Sequence, residues 1–313
     1  MSTAVLALGG NALSRADEPA TITNQFRRAR ESMAAVVTLA RQGWRIVIVH
    51  GNGPQVGDSL VRNEVARRVV EPLPLGVLVA ETAGWIGYML QQTLQNALAA
   101  GQVHRQVITV VTQTLVDRFD PALGLPTKPI GQPLSDAEAA RLTDAGRAVA
   151  RDGSGAWRRM TTSPAPLAVV EFPVVRRLLD EDVIVIAAGG GGPPVYDDPL
   201  LGIEGVDAVV DKDRVAAVFA RQLEAEVLMI LTNVDAVYDG WGTSAARAIR
   251  RMTVSQVDEM IAAGAFDAGG MRPKVEAAAA FARGGEGRAI IAHMASGPAA
   301  LEGASGTTIV RDA

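Results

Sequence analysis

The chain alternates short apolar runs with longer amphipathic segments along most of its length. The apolar runs, rich in Val, Ile and Leu, are TAVLAL (3–8), RIVIVH (45–50), QVITVVT (106–112), VIVIAA (183–188), VLMILT (227–232) and RAIIA (288–292). Apolar strands that alternate with helices predict a mostly parallel sheet covered on both faces. We therefore expect an α/β fold, a three-layer αβα sandwich around a mostly parallel open sheet.

The intervening segments have the 3.6-residue periodicity of amphipathic helices. The predicted helices cover 21–42, a stretch after the glycines of 51–57, about 79–100, 213–224 and 271–283. With 313 residues, of which 48% are hydrophobic, the chain can bury a large core. We expect one domain that spans residues 1–313.

Residues 117–166 interrupt this alternation. The stretch is rich in Pro, Gly, Asp and Arg and contains the sequence PTKPIG. It has one predicted short helix at 135–146, where Ser135 and Glu138 have the spacing of a capping box. We interpret the stretch as a small inserted lobe that acts as a lid, because one of the three lysines of the chain, Lys128, lies in it. A lid that closes over a site commonly excludes water. The alternative is a long surface loop.

Composition excludes several classes of protein. The chain has no Cys and only three His, so thiolate and histidine metal clusters are not expected. The net charge of −4 argues against a broad nucleic-acid surface. No apolar run reaches the ~18 residues of a membrane span, and the first residues lack the basic start of a secretory signal. We expect a cytoplasmic protein.

Glycine-rich turns follow three of the predicted strands, at residues 9–10, 51–57 and 189–192. Parallel sheets bind ligands at the carboxyl ends of their strands. Glycine lets the backbone approach an anion closely, and the next helix directs its N–H groups at it. Together the three turns predict a site for phosphates and an acidic substrate.

The glycines also leave one alternative open. Gly51, Gly53 and Gly57 nearly match the dinucleotide fingerprint G-x-G-x-x-G, but the last spacing is one residue too long. An NAD-binding oxidoreductase is therefore a second hypothesis. The phosphate-loop pattern G-x-x-x-x-G-K-[ST] does not occur in the sequence.

Lysine is rare in this chain. Of its 30 basic residues only Lys128, Lys212 and Lys274 are lysines, and the other 27 are arginines. A compact ammonium and a planar guanidinium are not interchangeable at a phosphate oxygen. Phosphoryl transfer needs alignment and positive charge more than covalent work by the protein. We predict that the three lysines bind phosphates and that Asp213 orients two of them. For the charged residues around Lys212, the alternative is an exposed helix start, where Asp is favoured in any case.

Seven motifs carry a resemblance to a known family. They are ALGGNA (7–12), VHGNGPQVG (49–57), PTKPIG (126–131), AGGGGPPV (188–195), DKD (211–213), LTNVDAVY (231–238) and MRPK (271–274). In this order and spacing they resemble carbamate kinase, within the amino-acid-kinase superfamily. The resemblance implies the reversible reaction ATP + carbamate ⇌ ADP + carbamoyl phosphate with Mg²⁺, and a homodimer. It also suggests ATP synthesis in arginine catabolism, or a role in purine or allantoin breakdown.

The resemblance assigns roles by position. The catalytic residues that it implies are Lys128, Lys212, Asp213 and Lys274. The residues implied to bind substrate and phosphate are Gly9, Gly10, Asn11, Gly51, Asn52, Gly53, Gly190 and Gly191. The residues implied to bind the nucleotide are Thr232, Val234, Asp235, Tyr238 and Met271. No side chain is assigned to a metal.

The chain departs from the family pattern at Ala165, Pro193 and Arg272, which bears on substrate affinity and lobe mobility rather than on the reaction class. A kinase of the same fold for another small acid or phosphonate, and a regulatory module without catalysis, are further alternatives. The presence of all three lysines argues against the regulatory module.

Overall fold

The computed structural model describes residues 2–10, 13, 18–266, 270–285 and 287–312. Over these residues, no helix is long and apolar enough to cross a membrane.

The helices agree closely with the predicted amphipathic segments, with additional short ones. Their bounds are α1 Ile22–Arg41, α2 Gly53–Ala66, α3 Leu75–Ala100, α4 Asp136–Asp144, α5 Phe172–Asp180, α6 Lys212–Gln222, α7 Val254–Ala262, α8 Arg272–Arg283 and α9 Gly297–Leu301.

The strands include all six of the predicted apolar runs. Their bounds are β1 Thr3–Leu8, β2 Arg45–His50, β3 Val107–Thr109, β4 Thr114–Val116, β5 Lys128–Leu134, β6 Val149–Arg151, β7 Trp157–Thr161, β8 Pro166–Val169, β9 Ile184–Ile186, β10 Pro194–Asp198, β11 Gly202–Gly205, β12 Val227–Thr232, β13 Val237–Asp239, β14 Arg247–Ile249, β15 Arg251–Thr253, β16 Arg288–His293 and β17 Thr307–Val310.

The largest sheet has the strand order β15-β17-β16-β12-β1-β2-β9-β3. Its pairs are parallel except for β16 with β17. Side chains of successive strand residues point to opposite faces, so Val5 and Ala7 join a core with α6 and α8, whereas Ala4 and Leu6 join a core with α1 and α3. The predicted mostly parallel sheet between two helical layers is confirmed.

The three glycine turns lie side by side. They follow β1, β2 and β9, which are neighbours in the sheet. Since parallel strands end at the same edge, the turns converge at one place, as the sequence predicted.

Within the predicted lobe, a separate antiparallel sheet has the order β5-β7-β6. Ser135 and Glu138 form the expected capping box at the start of α4. Ile130 is buried in a cluster with Val56 and Leu78, which joins the lobe to α2 and α3. At this junction Gly57 of α2 lies directly against Gly131 of β5.

The predicted strand at 106–112 was too long. Regular pairing ends at Thr109, because Thr112 turns toward the third glycine turn, where its hydroxyl accepts a hydrogen bond from Ala188 N at 2.9 Å. The predicted start of α3 near residue 79 was also late, because the helix begins directly after Pro74, its N-cap residue.

Candidate active site

Two cavities meet at the edge of the sheet where the glycine turns converge. The larger has a volume of about 620 Å³ and the smaller of about 450 Å³. Gly10, Gly270 and Lys274 line both. A group that passes from a ligand in one cavity to a ligand in the other would therefore pass close to Lys274.

The larger cavity has apolar and aromatic walls. Thr232, Val234, Tyr238 and Met271 line it, as do Asn233, Trp241 and Phe266. The rings of Tyr238 and Trp241 lie 5.2 Å apart, and the Trp241 side chain is 64% exposed at the rim. Such walls are suited to a planar heteroaromatic ring, which stacks on aromatic faces.

Asp235 supports this wall from outside the cavity lining. Its carboxylate accepts a hydrogen bond from the Tyr238 hydroxyl at 2.8 Å, and this bond raises the pKa of the Tyr238 phenol. The resemblance implied that Asp235 binds the nucleotide; in the structure its carboxylate contacts Tyr238.

The smaller cavity is lined by the second glycine turn. Gly51, Asn52 and Gly53 all contribute to it, together with Gly190 of the third turn. Asn52 is buried, and its amide donates to the Thr82 hydroxyl at 2.8 Å. Gly190 has a φ of +66°, and a Cβ at this position would meet the Asn52 amide at 2.2 Å. Only glycine therefore allows the two turns to approach so closely.

Lysine ammonium groups converge on Asp213 below this cavity. The Asp213 carboxylate is almost fully buried and binds the ammonium groups of Lys212 and Lys274, the latter at 3.2 Å. Burial disfavours its charged form, but the two cations hold the pKa of Asp213 below its ordinary value. Burial also lowers the pKa of Lys212. Asp213 therefore holds two ammonium groups at the cavity.

Lys128 reaches the same cavity from the first residue of β5. Its ammonium group lies 2.5 Å from Asp211 Oδ2, and both side chains line the smaller cavity. The predicted catalytic residues Lys128, Lys212, Asp213 and Lys274 thus lie together in one cleft.

The remaining predicted residues divide into three groups. Gly9 lines the larger cavity and Gly10 lines both. Gly191 is buried outside both linings, where a Cβ would meet the Val210 carbonyl oxygen at 2.3 Å. Asn11 lies outside the described residues.

Several residues that line the cavities were not predicted from the sequence, namely Trp241, Phe266, Ser163, Arg214 and Asp211. Asp211 is the first residue of the DKD motif, which could have identified it. Nothing in the sequence distinguishes Trp241 or Phe266 from other aromatic residues near a surface.

His50 lies beneath the second glycine turn and is 1% exposed. Its Nδ1–H donates to the Gly51 carbonyl at 3.1 Å, while Nε2 has no hydrogen-bond partner among the described residues. Burial lowers the pKa of His50 to about 4. The ring is therefore neutral at pH 7 in the folded chain.

We expect His50 to make stability depend on pH. Below pH 6.5 the unfolded chain binds a proton that folded His50 does not bind until pH 4, so the free energy of unfolding falls with falling pH. Between pH 7 and pH 5 the loss is about 2 kcal/mol. Urea unfolding of the wild type and of His50→Gln at both pH values measures it, with His104→Gln at an exposed histidine as control. An identical pH dependence in the wild type and His50→Gln would contradict the assignment.

The chain is similar to known proteins over nearly its whole length. The model of the amino acid kinase family matches residues 2–293. Carbamate kinase of Halobacterium salinarum is 42% identical over 312 residues, which are 99% of each chain, and that of Pyrococcus horikoshii is 39% identical over 97% of this chain and 98% of that protein. The solved structure of carbamate kinase from Giardia lamblia bound to AMP-PNP has a TM-score of 0.90 and 36% identity over 99% of both chains.

Proposed function

The chain belongs to the carbamate kinases of the amino acid kinase family, and from this we propose that it catalyses the reaction ATP + carbamate ⇌ ADP + carbamoyl phosphate. The observation that supports this most directly is the meeting of two cavities at Lys274, with Lys128 and Lys212 lining the smaller one. The nucleotide occupies the larger cavity, and carbamate or carbamoyl phosphate the smaller.

The proposed phosphoryl transfer requires little covalent chemistry from the protein. Carbamate is already an anion, so its oxygen needs no general base to attack the γ-phosphorus of ATP. Negative charge on the transferring group is offset by Lys212 and Lys274, and by Lys128 from the lobe. Backbone N–H groups of the glycine turns bind the remaining oxygens. Asp213 keeps two of the ammonium groups in place.

The lobe of residues 117–166 acts as a lid in this proposal. Lys128 lies at its first strand and lines the smaller cavity, so closure of the lobe brings a cation to the substrate and excludes water. The lobe contacts α2 through Ile130, Gly131 and the ion pair of Arg159 with Glu64.

Mg²⁺ accompanies the nucleotide in the proposed reaction. No cluster of three potential metal-ligating side chains occurs in the part of the chain that the structure describes, and Asp211 and Asp213 are bound to lysines. This donor set is compatible with Mg²⁺, which commonly keeps several waters and is bound largely by substrate phosphates. When bound with the nucleotide, the ion would supply further positive charge to its phosphates.

In the cell we propose that the enzyme runs toward ATP, in the cytoplasm and in arginine catabolism. Carbamoyl phosphate is a mixed anhydride and a strong phosphoryl donor, which favours ATP formation. A role in purine or allantoin breakdown is the alternative for the pathway.

The test of the reaction is a luciferase assay for ATP formed from ADP and carbamoyl phosphate with Mg²⁺. We expect ATP formation that depends on all three components. Acetylglutamate and UMP, tested with ATP as acceptors, should remain unphosphorylated. Absence of ATP formation, together with phosphorylation of either of these acceptors, would show that the substrate is wrong while the fold is right.

The proposed homodimer is supported by an apolar surface on α2, the following turn and α3. This valine patch consists of Val61, Val65, Val69, Val70 and Val77, and Val65 is 81% exposed. Large exposed apolar patches often mark protein–protein contacts.

We expect Val65→Asp to convert the dimer into a monomer, because it places a charge on a strongly exposed position of this apolar surface. Light scattering after size exclusion measures the mass, and Val174→Asp on α5 is the matched exposed control. A monomeric wild type, or a Val65→Asp protein that remains dimeric, would refute the patch as the interface.

A further inference from the structure

We propose that Asp211 is the positioning residue for Lys128, and that its carboxylate couples the lobe to the start of α6. This inference rests on the proposed function, because its effect is read in phosphoryl transfer. Neither the sequence analysis nor the resemblance assigned a role to Asp211.

Asp211 binds two separate parts of the site through its two carboxylate oxygens. Oδ1 accepts hydrogen bonds from Asp213 N at 2.9 Å and Arg214 N at 3.2 Å, which makes Asp211 the N-cap of α6. Oδ2 accepts from Lys128 Nζ at 2.5 Å, across 83 positions of the chain. One side chain therefore sets the position of Lys128 relative to Lys212 and Asp213 on α6.

The ion pair of Asp211 and Lys128 is partly buried, which strengthens the attraction between the two charges. Asp211 is 15% exposed and Lys128 29%, so water screens their attraction less than at an open surface. Burial disfavours the charged carboxylate, but the charge of Lys128 and its hydrogen bond hold the pKa of Asp211 below its ordinary value. The carboxylate is therefore ionised at neutral pH.

Asp211 and Asp213 bind different ammonium groups, which explains why the site needs a second carboxylate besides Asp213. Asp213 binds Lys212 and Lys274, both from the body of the protein. Lys128 comes from the lobe and has a long side chain with many rotamers. Asp211 holds its ammonium group at the cavity before substrate binds, so less conformational entropy is lost when the phosphoryl group is bound.

The competing explanation is that Asp211 only caps α6. Two variants separate the roles. Asp211→Ser retains a good N-cap residue but is too short to reach Lys128, and Asp211→Asn retains the shape but removes the charge. If Asp211 positions Lys128, both variants should lower kcat about 10- to 100-fold, with the KM for ADP changed less than about twofold because Asp211 does not line the nucleotide cavity. Thermal unfolding should show that both remain folded.

A double-mutant cycle with Lys128→Ala then decides the matter. If Asp211 acts through Lys128, adding Asp211→Asn to Lys128→Ala should change kcat less than about twofold. If Asp211→Asn lowers kcat by the same factor with and without Lys128, Asp211 does not act through Lys128, and the proposal is overturned. Near-wild-type kcat in both single variants overturns it as well. A wild type that makes no ATP from carbamoyl phosphate would instead refute the proposed function.

Discussion

Replacing Lys128 with Ala is expected to lower kcat for ATP formation by about 10²–10³-fold. The ammonium group lines the substrate cavity and not the nucleotide cavity, so its loss removes charge stabilisation from the transferring group. For the same reason the dissociation constant of ADP should change less than about threefold. Luciferase kinetics and calorimetric titration with ADP measure the two effects separately.

Two control variants test whether the effect is specific to the ammonium group of Lys128. Arg141→Ala removes an exposed cation from α4 of the same lobe and should leave kcat unchanged. Lys128→Arg restores the charge with a different shape and should recover only part of the activity, because a guanidinium is larger and planar. Near-normal turnover in Lys128→Ala would show that the lobe contributes no cation to the reaction.

Replacing Gly57 with Ala is expected to lower kcat about 100-fold by displacing the lobe. A Cβ at Gly57 would lie 2.0 Å from Gly131 Cα and 2.6 Å from Gly131 N. Both are backbone atoms of β5, so the clash is relieved only if the strand moves away from α2. Lys128 lies three residues before Gly131 on that strand and would move with it. Gly57 lines neither cavity, so the KM for ADP should stay within about twofold.

Gly84→Ala in α3 is the matched control for this variant. A Cβ at Gly84 would meet no heavy atom within 4 Å apart from its chain neighbours and the backbone of its own helix, and the residue is in the interior of that helix. The variant should keep full activity and gain about 0.5–1 kcal/mol in free energy of unfolding. If Gly57→Ala folded and turned over like Gly84→Ala, the contact between α2 and β5 would not determine the position of Lys128.

The position of Gly57 also bears on the second hypothesis from the sequence, an NAD-binding oxidoreductase. It formed the last glycine of a near match to a dinucleotide fingerprint, whose glycines allow close approach of a pyrophosphate. In the structure the space beside Gly57 is filled by the backbone of Gly131 rather than open to a ligand. The glycine at this position therefore serves the junction with the lobe.

Local patterns in the sequence were sufficient for the fold class and for the edge of the sheet where the cavities lie. Apolar runs such as VLMILT bury both faces of a strand, and the glycine turns after β1, β2 and β9 follow from chain order and parallel pairing. The rarity of lysine singled out Lys128, Lys212 and Lys274, which the structure brings into one cleft, while their roles in catalysis stay predictions.

Contacts between distant segments were decided only by the tertiary structure. Lys128 meets Asp211 across 83 positions, and Gly57 meets Gly131 without any side chain to mark the contact. Trp241 and Phe266 line the larger cavity because the tertiary structure places their segments beside the end of β12. A periodic pattern records which face of an element is buried, because burial acts on each residue locally. It does not record which partner fills that face, because many partners of the same polarity and size satisfy the same pattern.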